Sequence, residues 1–472
     1  MKDTIFREYD IRGIVEIELP ISNIYDLTNA ILTYFLTHKP TIRTLAIAMD
    51  GRLHSPEIKD EVCRAINDCG INVLYLGLCP TPALYFALFT QNVDGGIMIT
   101  ASHNSKEYNG MKICLGTEPI WGMELQKIKK LYKEKKKPSG GKKRGIIIDQ
   151  PIIPLYVKWL SNHFTHLYGM SLPVIIDCGN GTAGAVLPAI IDAMNWKNVE
   201  LLYSTVDGTY PNHEADPTII ENMQELQKLI LEKKNVLGIG LDGDCDRMAP
   251  MTCAGNLVPG DQLLAIFAQP IIEKNPECAI VFDIKSSQGL IELLEKWGAH
   301  PILSPSGHSI IKTMMQKNNA LLGGELSCHF FFKDRYFGYD DGIYALLRLI
   351  EILTTRKKSL ADLLSVFPKK FSSPELRLFC PDNAKKEVIK KLIDYFRTIA
   401  DASITTIDGI HVLLPFGWGI VRSSNTQAAL SMRFEANSLS NLKKVMHIFY
   451  EGLLPHLPSQ SIKRFEQEME KA

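Results

Sequence analysis

Paired cysteines are missing from this sequence. Its 10 cysteines stand singly, with no CxxC and no histidine-rich spacing beside them. That pattern excludes a zinc site or a disulfide framework, and most of the thiols read as small core residues of a reducing compartment. Long apolar runs are also lacking, so nothing is expected to cross a bilayer. The opening residues Met1 to Glu8 put acidic groups where a signal peptide needs an apolar stretch. Charge of one sign is absent as well: 52 Lys and Arg balance 52 Asp and Glu. No surplus remains to draw the chain to nucleic acid or to an acidic membrane surface. The expectation is a cytoplasmic protein with neither nucleic acid nor membrane as a partner.

What is present is enough for several cores. The chain has 472 residues, 46% apolar and 22% charged, which is more than one hydrophobic core accommodates. A lysine-rich run from Lys127 to Arg144, broken by Pro138-Ser139-Gly140-Gly141, reads as a solvated helix followed by a joint, and marks the first boundary. Three places share one local form. The apolar runs Leu45–Met49, Pro173–Ile176 and Ala279–Phe282 each end in an aspartate, Asp50, Asp177 or Asp283. A small polar turn and a helical pattern follow each. Strand, loop and helix in repetition predict three related α/β domains with mixed or parallel sheets. Ile220, Met223, Leu226 and Ile230 recur at helical spacing, with Asp216-Pro217 as a start signal. After about residue 363 the pattern changes. A strand over Ser373–Cys380, a helix over Lys386–Ala400 and short strands around Gly409, Gly417 and Gly419 predict a smaller, unrelated α+β domain. The boundaries fall at 1–147, 148–250, 251–362 and 363–472.

Two loops carry chemistry. Asp242-Gly243-Asp244-Cys245-Asp246-Arg247 follows the apolar run Val236–Leu241 and turns alternate carboxylates to one side, as a hard divalent cation requires. A calcium-binding EF-hand loop needs glycine sixth and glutamate twelfth, where Arg247 and Cys253 stand, so that reading fails. An acidic surface turn is the bland alternative, against which stands the mutual repulsion of three close carboxylates. The other loop, Thr100-Ala101-Ser102-His103-Asn104, presents a hydroxyl after the apolar run Gly95–Ile99. Serine in a turn is ordinary, but hydroxyl and cation together are parts of phosphoryl transfer. The continuation Tyr108–Lys112 brings a lysine back toward Ser102. Arg422-Ser423-Ser424-Asn425-Thr426, on a loop after a strand, offers a donor set for phosphate oxygens or is a surface turn. Gly323–His329 reads as a short extended stretch whose Glu325 suits adjacent sugar hydroxyls, or as a glycine turn into Phe330–Phe332.

These motifs, with Phe6–Gly13 and Arg433-Phe434-Glu435, run along almost the whole chain in order. Together they resemble the α-D-phosphohexomutase family, and within it the bacterial phosphomannomutase/phosphoglucomutase branch. The resemblance implies four domains around a central cleft, the first with a phosphoserine loop, the second with a metal loop, the third with a sugar loop and the last with a phosphate-binding loop. It implies a Mg²⁺-dependent mutase acting on mannose and glucose phosphates through phosphorylated Ser102, with glucose 1,6-bisphosphate or mannose 1,6-bisphosphate as activator. It places the metal on Ser102, Asp242, Asp244 and Asp246. The implied catalytic set is Ser102, His103, Lys112, Arg12, Arg247, His308 and His329. Tyr9, Lys285, Glu325, Ser327, Arg422, Ser424, Asn425 and Thr426 would bind substrate. A monomer or weak homodimer is expected. Two positions depart from the family pattern: Ser105 stands where proline is common, and Cys328 where glycine is common. A phosphoglucosamine mutase, or a non-catalytic phosphoprotein scaffold of the same fold, are the alternatives; Leu326 stands where an amino-sugar mutase typically carries glutamine.

Overall fold

A computed structural model describes residues 1–138, 143–423 and 428–471. The chain forms two compact units: Met1–Ile271 with Leu321–Leu364, and Ile272–Ala320 with Ser365–Ala472.

The first unit holds two sheets. Thr44–Met49 lies at the centre of the first, parallel to Asn72–Leu78 on one side and to Gly95–Ile99 on the other. Antiparallel Tyr108–Leu115 and Ile11–Ile14 extend it beyond Gly95–Ile99. The three parallel strands are nearly continuous apolar runs because helices cover the sheet. Pro56, Pro82, Pro154 and Pro188 stand in the first turn of helices Ser55–Asp68, Thr81–Thr90, Ile153–His163 and Leu187–Ala193, where their missing N–H costs nothing. In the second sheet Val174–Asp177 lies between Val199–Leu202 and Leu237–Leu241, both parallel to it, with Met248–Met251 antiparallel at the edge. The hairpin Leu322–Gly324/Phe330–Phe332 also belongs to this unit. In the second unit Ala279–Asp283 and His300–Ser304 form a parallel pair. An antiparallel sheet there runs from Ser403–Thr405 through Ile410–Leu414 and Gly417–Ser423 to Ala429–Ala436. Leu376–Phe379 pairs with this last strand, and helices Lys385–Phe396 and Leu439–Leu453 pack on the same core.

All three aspartate-ended strands form, and the C-terminal region is α+β: the chain has three α/β domains and a fourth, different one. Several local readings change. Ile147–Asp149 pairs with Asn72–Leu78 and Met248–Met251 with Leu237–Leu241, so strands cross the joins read at 147/148 and 250/251. In the second unit Ile284 and Leu303 pack with Trp418 and Ile420. Asp216 does not start a helix: its Oδ1 accepts from Thr218 N and Oγ1, closing a local turn, and the helix begins at Gln224 after a 3-10 turn. Arg422 lies on the strand Gly417–Ser423 rather than on a loop. The stretch after Gly324 is a turn rather than extended, closed by Cys328 N donating to Glu325 O at 3.0 Å.

Candidate active site

Ser102 follows the central strand Gly95–Ile99 by three residues and takes a left-handed backbone, φ +51°. For a non-glycine residue that conformation costs about 1–2 kcal/mol, so neighbours must hold it. Thr100 Oγ1 accepts Ser102 N at 2.9 Å. The bend aims Ser102 Oγ at Asp242, whose Oδ2 accepts it at 3.0 Å. His103 Nδ1 lies 3.1 Å from Ser102 Oγ. Burial, with the guanidinium groups of Arg247 and Arg12 nearby, pushes the His103 imidazole well below its ordinary value, keeping it neutral.

Asp242 ends the buried strand Leu237–Leu241, and the turn after it places Asp244 and Asp246 beside it, all three buried. The turn needs a close approach at Gly243: a Cβ there would stand 2.7 Å from Ser102 O and 3.0 Å from Tyr210 Oη. Carboxylate oxygens of Asp242, Asp244 and Asp246 lie within 4.8 Å of one another. Lys112, facing Met98 on the neighbouring strand, reaches in from Tyr108–Leu115. Its Nζ donates to Asp244 Oδ2 at 2.7 Å and to Asp246 Oδ2. Thr81, at the start of helix Thr81–Thr90, gives Asp244 Oδ2 a second bond at 2.6 Å. Burial, Asp246 and Asp244 push Asp242 well above the usual carboxylate range. Burial opposes ionisation of Asp246 too, but Lys112 and His329 outweigh it and hold that group low. Oδ1 of Asp244 and Oδ1 of Asp246 accept no hydrogen bond among the described residues. Three clustered carboxylates with two such buried oxygens suit a hard divalent cation, so the donor set fits a metal.

His329 closes another side. Arg247 Nε donates to its Nε2 at 3.1 Å, which leaves Nδ1 to face Asp340 Oδ2 at 3.3 Å and Asp246 Oδ1 at 3.6 Å. Arg247 in turn is 3.6 Å from Asp216. Arg12 donates to Asn104 Oδ1 at 2.5 Å and to Asp10. Tyr9 is half-buried in the bend before that strand. Glu325 is buried, and Ser327 half-buried, in the turn preceding His329. Cys328 keeps the left-handed backbone a glycine would take, φ +67°, with its side chain buried.

The second unit carries the other expected residues. Lys285 Nζ is 3.6 Å from Asp283 Oδ2, which also accepts Ser306 Oγ. His308 opens helix His308–Lys317 after Gly307. Arg422 Nη1 is 3.4 Å from Asp408. Arg433 donates to Lys285 O, and buried Glu435 accepts Gln288 N at 2.9 Å and Trp418 Nε1 at 3.0 Å. Ser424, Asn425 and Thr426 lie outside the described residues.

Sequence reasoning passed over Thr81 and Arg52. The last is 1% exposed and donates to four carbonyls of the serine loop. The one available signal for Arg52 was an arginine set in a short turn directly after a buried strand.

Three successive family models match the chain: phosphoglucomutase/phosphomannomutase alpha/beta/alpha domain I over residues 3–139, domain II over 154–255 and domain III over 259–371. The chain belongs to the phosphoglucomutase/phosphomannomutase family. It is 38% identical over 454 residues to a phosphomannomutase/phosphoglucomutase of Pseudomonas syringae pv. tomato, covering 96% of each chain. It is 35% identical to a phosphoglucomutase of Neisseria gonorrhoeae over 94% of this chain and 95% of that one. A solved structure of a family member from Burkholderia thailandensis superposes with a TM-score of 0.89 at 30% identity, covering 97% and 99%. No helix among the described residues is long and apolar enough to cross a membrane.

Proposed function

We propose that this protein is a phosphohexomutase that interconverts the 1- and 6-phosphates of mannose and glucose, carrying the transferred phosphoryl group on Ser102. The observation that carries this reading is the Ser102 hydroxyl on Asp242 Oδ2 at 3.0 Å, beside three clustered carboxylates and the Lys112 ammonium. The names of relatives at 36–38% identity support it.

In the forward step a sugar hydroxyl attacks the phosphorus on phosphorylated Ser102. The bond from phosphorus to Oγ breaks, a bond to the sugar oxygen forms, and the proton lost by the sugar hydroxyl is balanced by one gained at Ser102 Oγ. The bisphosphosugar turns around, and its other phosphate returns to Ser102. A free 1,6-bisphosphate reloads an enzyme that has lost its phosphate, which makes it the activator. Asp242, Asp244, Asp246 and the phosphorylated serine would hold Mg²⁺, which would draw charge from the transferring group. Lys112 brings a fixed positive charge to the same cluster, where preorganised charge lowers the barrier without reorganising. Arg12, through Asn104, steadies the serine loop, and Arg247 fixes the ring of His329. Glu325 and Ser327 hold sugar hydroxyls, with Tyr9 beside the sugar. Arg422, Ser424, Asn425 and Thr426 bind the phosphate that is not reacting; Lys285 also binds substrate, and His308 belongs to the catalytic set. Distal binding of that kind fixes the near end for attack.

The test is conversion of mannose 1-phosphate, glucose 1-phosphate and glucosamine 1-phosphate to their 6-phosphates, with Mg²⁺ and a trace of glucose 1,6-bisphosphate. Turnover of the first two, lost in EDTA, is expected. Turnover of glucosamine 1-phosphate alone, or of none, would refute the assignment.

A further inference from the structure

Arg52 is an arginine sealed inside the protein against the serine loop. It sits three residues after the strand Thr44–Met49, in the turn Asp50-Gly51-Arg52. Its Nη2 donates to Ser102 O at 2.8 Å and Asn104 O at 2.5 Å; its Nη1 donates to Ser105 O at 2.7 Å and Tyr108 O at 3.0 Å. Its Nε is 3.2 Å from Asp50 Oδ2, and its guanidinium carbon lies 5.2 Å from the centroid of the Tyr210 ring. Asp50 is itself fixed: Oδ1 accepts Arg52 N at 3.0 Å and Ser55 Oγ at 2.7 Å, and that hydroxyl accepts Asn109 Nδ2 at 3.0 Å.

These contacts span the whole loop from Ser102 to Tyr108. One planar fork collects carbonyls from both limbs of the loop, which a lysine's single ammonium cannot do in the same geometry. Without it these carbonyls would lose the guanidinium donor, Ser105 O keeping only Tyr108 N at 3.1 Å, and the left-handed Ser102 would lose this restraint on its carbonyl side. Tyr210 carries the restraint onward, since its hydroxyl is the close neighbour of Gly243 between Asp242 and Asp244. The loop has no proline at Ser105; Asn104 N on Ala101 O and Tyr108 N on Ser105 O, both at 3.1 Å, tie it from within, and Arg52 ties it from outside.

We infer that Arg52 is the positioning residue that holds the Ser102 loop in its reactive conformation, and that it sets the rate of phosphoryl transfer rather than the affinity for sugar phosphate. This rests on the role proposed for Ser102. The substitution Arg52→Lys keeps the charge opposite Asp50 and removes the fork. Turnover and the rate of Ser102 phosphorylation by glucose 1,6-bisphosphate, read by intact mass, are measured on folded wild type and variant. The expected result is a fall of about 100-fold in kcat and in phosphorylation rate, as a displacement of about 1 Å produces, with KM for glucose 1-phosphate within about threefold. A merely structural role would lower the melting temperature and leave kcat per folded molecule intact, and that result overturns the inference. Should Arg52→Lys fail to fold, Asp50→Asn keeps the Oδ1 acceptor and replaces the carboxylate oxygen facing Nε by an uncharged amide NH2. A fall of about 10-fold in kcat at constant KM is then expected, and an unchanged kcat overturns the inference. A wild type that takes up no phosphate on Ser102 overturns both this inference and the proposed function. A wild type that is phosphorylated, matched by Arg52→Lys, overturns the role of Arg52 alone.

Discussion

Replacing Asp341 by asparagine should flatten the pH dependence of stability in the first unit. Asp341 is 1% exposed and caps helix Gly342–Arg356 by accepting Tyr344 N on Oδ1 at 2.8 Å. Its Oδ2 accepts the hydroxyls of Tyr156 at 2.7 Å and Tyr336 at 2.8 Å. Burial pushes its carboxyl up to about 6 from the ordinary 3.8, even though the cap and both tyrosines pull the other way. The folded-state value is raised, so the folded protein binds this proton more tightly than the unfolded chain. The resulting stability is fully present below pH 3.8 and is lost as pH rises through about 6. A shift of about two units at 1.36 kcal/mol each makes the loss about 3 kcal/mol. Asparagine carries no charge to desolvate, but its amide can present only one acceptor oxygen. With that oxygen on the tyrosines, the cap to Tyr344 N is lost, at about 1 kcal/mol. The variant should therefore be about 1 kcal/mol less stable than wild type near pH 4 and about 2 kcal/mol more stable near pH 7.5. Urea midpoints of both proteins from pH 4 to 7.5 give the difference curve, in which every other titrating group cancels. Parallel curves, with no crossing between pH 4 and 7, would refute the reasoning.

Ser102→Ala should cut turnover roughly 10⁴-fold or more while calorimetric binding of glucose 1-phosphate persists; near-native turnover would remove Ser102 from the mechanism. Asp244→Asn takes a charge from the carboxylate cluster and should raise the Mg²⁺ concentration for half-maximal rate by at least about 10-fold; an unchanged metal dependence would clear the aspartate loop of any metal role. Lys112→Met strands Asp244 and Asp246 without their buried counter-charge and should cost about 3–5 kcal/mol in EDTA, partly recovered by Mg²⁺. No recovery would mean that the cluster does not take a divalent cation. At Cys328 the backbone is left-handed, so Cys328→Gly should stay within about 1 kcal/mol of wild type in urea unfolding, whereas β-branched Cys328→Val should lose about 2 kcal/mol or more. Equal losses from the two would place the cost in packing rather than in φ.

The parts of this structure that were legible beforehand are those in which one short segment carries the whole physical reason. A parallel strand covered on both faces must be apolar along its length, and Thr44–Met49, Val174–Asp177 and Ala279–Asp283 announce themselves that way. The alternate carboxylates at 242, 244 and 246 are equally local, since their repulsion exists in any conformation the loop adopts. Arg52 and Thr81 were not legible, because each acts on residues that only the fold brings near: Thr81 meets Asp244 across 163 positions, and Arg52 meets Ser102 across 50. The misread segments fail for the same reason. Asp216 has the chemistry of a helix start, yet Thr218 and Arg247 compete for its oxygens and win. The run after Gly324 has the alternation of a strand, yet the backbone turns so that Cys328 N reaches Glu325 O. Cys328 shows how little a departure in residue type says about geometry: the side chain differs from the common glycine, and the φ the turn demands is kept. A local pattern thus fixes what a segment can do, and distant partners decide which of those things it does. The Ser102 loop depends on both, since its serine is named by the segment and four of its carbonyls accept from an arginine 50 residues away.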